Sequence, residues 1–163
     1  MATATYVPIA TQTLGSSALS ITFSSIPSGY TDLRLRVSAT TTSSGGYYWI
    51  RFNGDTGTNY STTDINYYNP ASNSNTNQNE LLTNAHAGFN TSYPGLLTLD
   101  VFSYTGSTYK TSLAINADDN NGTGDLSALV GLWRSTSAIT SITILSGYSF
   151  SFAAGSTATL WGI

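Results

Sequence analysis

The chain has 163 residues, enough for one domain with a sizeable core, and only 8% of them are charged, against about a quarter in an average soluble protein. The formal net charge is −3 and the five basic residues stand singly, which argues against nucleic-acid binding because that function needs clustered Lys and Arg. The chain has no Cys, so it forms neither a disulfide nor a thiolate metal site. No apolar run has the length of a membrane span, and residues 1–6 lack the features of a signal peptide. We therefore expect a soluble protein that is made in a cytoplasm without processing.

The polar residues favour strands and turns over helices. Ser, Thr, Asn and Gly fill most polar positions, while the Glu, Lys, Arg and Gln that line exposed helix faces are scarce. The eleven Tyr and three Trp have two explanations. They are ordinary sheet residues, or they lie at contacts between subunits, where aromatic side chains are enriched and charges are depleted.

Short segments in which apolar and polar residues alternate, the pattern of half-buried strands, fill the first half of the chain. The clearest one alternates Leu33, Leu35 and Val37, which we place inward, with charged residues that we place outward. Pro8 predicts an edge position for the first strand, because proline has no amide proton to donate to a neighbour. An Asn-Gly pair at 53–54 predicts a tight turn. The predicted strands of this half cover residues 5–10, 18–24, 31–39 and 47–52.

The second half alternates predicted strands with polar loops. Residues 69–79 are rich in Asn and show no periodicity, so we predict a loop there. Residues 80–89 fit either a short strand or a helical turn. A Gly-Ser turn joins two apolar segments into a predicted hairpin, in which Leu97, Leu99 and Val101 face Thr111, Leu113 and Ile115. The predicted strands of this half cover residues 60–68, 96–104, 109–116, 126–134, 142–144 and 157–163.

About eight to ten short strands, with turns between them and no convincing helix, predict an all-β fold, an antiparallel β-sandwich of the jelly-roll kind. No repeat of fixed period is present, which argues against a propeller or a β-helix. We expect a single domain over residues 1–163, with residues 1–4 as a flexible N-terminal arm. The apolar end of the chain predicts a last strand paired inside a sheet, with Trp161 in the core or at a subunit contact.

No motif of known catalytic chemistry is present, and we expect no enzymatic activity. His86 is the only histidine, and no Gly-x-Ser-x-Gly elbow surrounds any serine, so a structural hydrogen bond is favoured over a Ser-His-Asp triad. Glycoside hydrolysis needs two buried carboxylates on facing walls of a cleft. Four acids lie in apparent turns, where Asp is expected for turn geometry, while Asp32 and Asp100 alternate outward on predicted strands. No acid is therefore distinguished as catalytic.

Residues 118–125, with the sequence DDNNGTGD, are the best candidate for a metal site. Hard oxygen ligands in a glycine-containing loop are what Ca²⁺ prefers. The spacing departs from the Asp-x-Asn-x-Asn-Gly pattern, and no Glu follows at the bidentate position. A solvated surface loop is therefore the favoured interpretation, and we predict no cofactor and no metal, with calcium as the open alternative.

Tyr47, Tyr48 and Trp49 form an aromatic triplet beside two glycines. Because strand residues alternate faces, Tyr48 shares a face with Ile50, which we place in the core, and Tyr47 and Trp49 then lie on the other face. Exposed aromatic rings stack on sugars or anchor protein interfaces. Ordinary cross-strand packing explains the same pattern equally well. The candidate interface residues are Tyr47, Trp49, Tyr67 and Tyr68.

Four stretches of the chain, taken together and in order, resemble a group of tailed-bacteriophage virion proteins. They are IPSGYTDLRLRV at 26–37, RFNGDTGTNYS at 51–61, GLWRSTSAITSITI at 131–144 and AGSTATLWGI at 154–163. The resemblance spans nearly the whole chain. Similar modules occur in that group as capsid decoration (cement) proteins and as parts of tail fibres, and the group has no catalytic motif to transfer.

The resemblance implies a structural virion protein, and the residues favour the cement role. The chain begins at Met and has no coiled-coil or β-helix stalk, as expected of a small cement protein rather than a fibre fragment. Such proteins typically sit as homotrimers on the capsid surface, where they clamp subunits of the major capsid protein. We therefore expect a virion protein that is assembled in the host cytoplasm, with neither nucleic acid nor membrane as a partner. The alternatives are a tail-fibre or receptor-binding module that contacts host glycans and, third, a carbohydrate-active enzyme.

Overall fold

The computed structural model describes residues 5–44, 47–66, 72–82, 90–147 and 150–163. These residues form strands, turns and bends without a helix, so none of them belongs to a membrane-spanning helix. The described strands, in chain order, are β1 Val7–Thr13, β2 Ser20–Phe23, β3 Leu33–Ala39, β4 Tyr48–Phe52, β5 Tyr60–Asn66, β6 Asn73–Gln78, β7 Leu81–Leu82, β8 Gly95–Phe102, β9 Lys110–Asp119, β10 Gly124–Trp133, β11 Ile142–Ser146 and β12 Thr157–Gly162.

The strands form two antiparallel sheets. The large sheet has the order β1-β12-β3-β8-β9-β10-β5-β6, and the small sheet has the order β2-β11-β4-β7. One hydrophobic cluster contains buried side chains of both, among them Leu35 and Leu99 from the large sheet and Ile50 and Ile144 from the small one. The sheets therefore pack face to face, and the predicted all-β antiparallel sandwich is confirmed. The jelly-roll connectivity in particular stays a prediction.

The two ends of the described chain pair with each other at one side of the large sheet. β12 lies between β1 and β3, so the predicted pairing of the last strand inside a sheet is confirmed. β1 is the edge strand, as Pro8 predicts, and its register with β12 shifts between Pro8 and Ala10. Trp161 is half-buried on the outer side of β12, with the Arg36 guanidinium 5.8 Å from its ring centre. Of the two predicted positions for Trp161, the core position is therefore wrong, and the subunit contact stays a prediction.

Residues 69–79 are not wholly a loop, because β6 pairs with β5 along one edge of the large sheet. β6 contains only Asn, Ser, Thr and Gln, so its sequence lacks the apolar alternation that identifies a strand. Its pairing rests on backbone hydrogen bonds and on polar cross-strand contacts such as Thr63 Oγ1 to Ser74 Oγ at 3.0 Å. A short polar edge strand also discourages edge-to-edge aggregation.

The predicted facing of the β8–β9 hairpin is wrong by one residue. Leu97 pairs with Asn116 and Leu99 with Ala114. A shift of one residue exchanges the two faces of a strand. Leu113 and Ile115 consequently point to the outside of the large sheet, at 38% and 47% exposure.

Several predicted features lie outside the described residues. They are the N-terminal arm at residues 1–4, the candidate interface residues Tyr67 and Tyr68, and His86.

Candidate functional site

The outer side of the small sheet carries the two predicted interface residues that the structure describes. Tyr48 and Ile50 are buried, whereas Tyr47 and Trp49 are partly exposed, as the alternation predicts. The Trp49 indole lies against Gly147, where an added Cβ would be 3.1 Å from indole Cε2. The amide of Gly147 donates to the carbonyl oxygen of Tyr47 at 2.8 Å. The bare backbone at Gly147 thus fits closely against both aromatic residues.

Tyr48, on the inner side of the same strand, connects the two sheets. Its hydroxyl donates a hydrogen bond to Asn116 Oδ1 on β9 of the large sheet. The amide of Asn116 in turn donates to Ser127 Oγ at 3.1 Å. Complete burial raises the pKa of the Tyr48 phenol well above its usual range, because the phenolate would lose its hydration.

The inner face of β9, β10 and β5 is buried although it is largely polar. Asp64, at 2% exposure, accepts a long hydrogen bond from Asn66 at 3.5 Å through Oδ2, while its Oδ1 has no hydrogen-bond partner among the residues that the structure describes. This polar inner face was not predicted, because the apolar residues of a half-buried strand are expected to point inward. The buried polar residues of these strands are Thr62, Asp64, Asn66, Lys110, Ser112, Asn116, Asp125 and Ser127.

The segment 118–125 is the tip of the β9–β10 hairpin rather than a separate loop, since only residues 120–123 lie between the two strands. Asp118 Oδ1 accepts a hydrogen bond from the Asp125 amide at 3.0 Å, and Oδ2 accepts one from Asn120 Nδ2 at 2.6 Å. The exposed Asp119 accepts a hydrogen bond from the Gly122 amide at 2.9 Å. Within the described part of the chain, no three His, Cys, Asp or Glu side chains lie close enough to hold a metal ion. The carboxylates of Asp118 and Asp119 therefore act as turn acceptors.

Other acids have identifiable structural partners. Asp100 receives two hydrogen bonds from Arg34, at 2.5 Å from Nε and 2.6 Å from Nη2. Glu80 pairs with Arg51 at 2.7 Å. The backbone amide of Ser103 donates to Asp32 at 2.7 Å. As predicted, Asp32 and Asp100 point away from the core.

The outer side of the large sheet exposes apolar side chains over four neighbouring strands. The pairing places Leu113 beside Val130 and Ile115 beside Ala128, and Ala128 lies beside Ile65 on β5. Exposure ranges from 38% at Leu113 to 61% at Leu126. We call this surface, on β8, β9, β10 and β5, the apolar face. Its exposed large apolar residues are Ile65, Leu96, Phe102, Leu113, Ile115, Leu126 and Val130.

The apolar face passes into a charged rim on β3 and β12. Arg34 Nη1 donates to the Tyr6 hydroxyl at 2.6 Å and lies 5.3 Å from that ring centre, while Arg36 lies over Trp161. These four residues line a depression of about 200 Å³. The hydrogen bonds that Arg34 donates to Asp100 and Tyr6, together with the charge of Asp100, outweigh desolvation and raise the pKa of Arg34. The rim therefore carries two arginines, of which Arg34 is paired with Asp100, whereas the apolar face beside it is uncharged except at its margins.

The structure brings Tyr47 and Trp49 together on one surface, and it places seven exposed large apolar side chains on the opposite sheet. The apolar face was not predicted: Leu113, Ile115 and Val130 alternate with smaller or polar residues, but this alternation does not say which side of the strand faces outward. The chain matches no protein-family model, no curated protein and no solved structure.

Proposed function

We propose that the protein is a structural virion protein, a decoration or cement protein that binds the outside of a phage head and stabilises joints between subunits of the major capsid protein. The four sequence stretches that resemble phage virion proteins support this role. The two-sheet sandwich, with one continuous core, supplies a stiff body whose two outer sides are available for contacts.

The observation that carries the proposal is the apolar face. Monomeric proteins rarely expose large contiguous apolar surfaces, and such surfaces mark sites of association. Here seven large apolar side chains on adjacent strands are at least 38% exposed. Such a surface is expected in a subunit that functions within an assembly.

We also propose the jelly-roll connectivity. The strands β1-β12-β3-β8 lie side by side in the large sheet, and β2-β11-β4-β7 form the small one. Among these eight strands the chain changes sheet at every step in sequence except from β4 to β7, which are neighbours in the small sheet, and this connectivity fits a roll built from two Greek keys. The remaining strand pairs, β5–β6 and β9–β10, then extend one sheet.

We assign the contact with the capsid shell to the outer side of the small sheet around Tyr47 and Trp49. Rigid aromatic side chains give much contact area for little loss of conformational entropy, which makes them frequent anchors of interfaces. A protein that binds only the assembled shell stabilises it in proportion to its affinity.

The alternative function is a tail-fibre or receptor-binding module. The rings of Tyr47 and Trp49 support it as well, because exposed aromatic rings are suited to stacking on glycans.

The test uses heads of the virus whose genome encodes the chain, prepared with and without the protein. We expect heads that lack it to release DNA at a lower temperature, and we expect added protein to restore the original release temperature. An unchanged release temperature would refute the cement function. Binding to a glycan array, together with absence from heads, would establish the tail alternative instead.

The contact surface is tested with Trp49→Ala, which should weaken binding to depleted heads at least about tenfold. Tyr93→Ala is the matched control, because Tyr93 is an aromatic residue at 43% exposure that lies outside the small sheet. Equal binding of both variants to the depleted heads would show that Trp49 is not part of the contact with the capsid shell.

A further inference from the structure

We propose that the apolar face of the large sheet binds the same face of a second copy of this chain, related by a two-fold axis that runs parallel to the strands. This inference rests on the proposed function only in treating the chain as a subunit of an assembly.

The first argument is charge. A two-fold interface brings each surface patch against itself, so a charged patch would repel its own copy. The side chains of the apolar face are uncharged except at its margins, where Asp100 is paired with Arg34 and Asp119 lies beside the hairpin tip. The face therefore meets its own copy without electrostatic conflict.

The second argument is area. Strands spaced about 4.8 Å apart and about seven residues long give the outer side of the eight-stranded sheet roughly 900 Å². A stable interface buries about 800 Å² on each partner. When β3 lies over β6 of the partner, the six strands from β3 to β6 overlap, which gives roughly 670 Å² on each copy. The total of roughly 1,300 Å² lies within the range of roughly 1,200–2,000 Å² for stable interfaces.

The third argument is the arrangement of residue types across the sheet. Stable interfaces have an apolar centre and a polar rim. The apolar face is flanked on one side by β6, which contains only uncharged polar residues, and on the other by β3 and β12 with Arg34 and Arg36. The outer side of the large sheet therefore has the organisation of an interface.

The arginines of the charged rim also distinguish between the two possible directions of the two-fold axis. A two-fold axis perpendicular to the strands would lay the β3 rim of one copy over the β3 rim of the other, and Arg36 would oppose Arg36. An axis parallel to the strands lays each arginine rim over the uncharged β6 of the partner instead. The second arrangement avoids the repulsion between like charges.

The partner is a second copy rather than another protein because the face meets its own copy without electrostatic conflict and over a sufficient area, with a polar strand opposite each arginine rim. The two-fold pairing predicts dimers or multiples of dimers, whereas the family resemblance implies trimers. The two assemblies differ in mass, so they can be separated by measurement.

The test is sedimentation velocity on the isolated full chain over a range of concentrations. We expect a dimer, and we expect Leu126→Lys to raise its dissociation constant at least about tenfold because two lysines would be buried across the axis. Leu19→Lys is the matched control: Leu19 is 66% exposed and Leu126 is 61% exposed, but Leu19 lies next to the small sheet. Val130→Lys provides a second substitution within the face.

A wild-type monomer or trimer at all concentrations would overturn the inference, as would a dimer that both face variants leave unchanged. Urea midpoints of the variants, measured in parallel, show that each variant is folded. The measurement requires no capsid, so a failure here is distinguishable from a failure to bind phage heads.

Discussion

The Asp55 side chain, in the loop after β4, connects that loop by hydrogen bonds to Trp133 at the end of β10. Its Oδ2 accepts hydrogen bonds from Trp133 Nε1 at 2.7 Å and from Asn59 Nδ2 at 2.9 Å, and its Oδ1 accepts one from the Gly57 amide at 2.8 Å. Burial alone would raise the pKa of Asp55, but these donors and the charge of Arg51 lower it below 3.8. The stability that the carboxylate contributes is therefore present above this value and is lost as the pH falls through the folded-state pKa.

Replacing the Asp55 carboxylate should destabilise the protein. In Asp55→Ala the indole N–H of Trp133, whose side chain is 2% exposed, loses its partner. We expect the free energy of unfolding to fall by about 2–3 kcal/mol, because a buried donor is left unsatisfied. Urea denaturation at neutral pH measures it. Asp119→Ala, at an exposed turn acceptor, should cost less than about 1 kcal/mol, and an equal loss in both variants would contradict the role of Asp55.

The buried phenols of Tyr48 and Tyr60 make the free energy of unfolding decrease at alkaline pH. Burial raises the pKa of both phenols above 10.0, so the folded protein keeps protons that unfolded tyrosines release. Their contribution is complete below pH 10 and decreases as the pH rises through the folded-state pKa values, by about 1.4 kcal/mol per pH unit for each phenol. Lys110 has the opposite effect on stability. Burial lowers its pKa from 10.5, so its contribution makes the protein more stable as the pH rises towards that value.

The variant Tyr48→Phe isolates one of these phenols. The loss of its hydrogen bond to Asn116 should lower stability by about 1–2 kcal/mol at neutral pH. The difference from wild type should then shrink above pH 10, because the variant has one fewer phenol that ionises only on unfolding. Urea unfolding from about pH 9 to about pH 11 provides the measurement. A difference that is constant across this range would show that the Tyr48 phenol ionises normally in the folded protein.

At the scale of elements, the end of β12 depends on a glycine. The ring of Tyr30 lies directly on Gly162, and an added Cβ would overlap it. We expect Gly162→Ala to destabilise the protein by about 1–3 kcal/mol, because ring or backbone must move. Gly15→Ala is the control, since no described residue other than its two chain neighbours has an atom within 4 Å of the corresponding Cβ position. Similar melting temperatures for the two variants would show that the ring adapts without cost.

The strands that could be predicted from the sequence are those in which alternation and burial agree. In β3, Leu33, Leu35 and Val37 are inward as predicted. In β9 the alternation is equally clear, but the larger apolar side chains face outward and Ser112 and Asn116 face inward. Periodicity gives two faces and does not say which one is buried, since tertiary contacts such as the Tyr48–Asn116 hydrogen bond decide it.

At the scale of the whole molecule, the same limit applies to the candidate site. The partial exposure of Tyr47 and Trp49 follows from the core position of Tyr48 and was predictable. The apolar face was not, because it exists only where Ile65, Ile115 and Val130 from three strands become neighbours. Sheet order places them together, and sheet order depends on long-range pairing that local sequence does not encode.

The copy number of the protein in purified virions tests the central claim most directly. Quantitative mass spectrometry of separated heads and tails would measure it relative to the major capsid protein. A cement protein must occur on heads in a fixed and high ratio to that protein, because each copy stabilises a repeated joint of the shell. We predict that ratio for heads and no enrichment in tails. Presence of the protein in a few copies confined to tails, or its absence from virions, would contradict the proposed function.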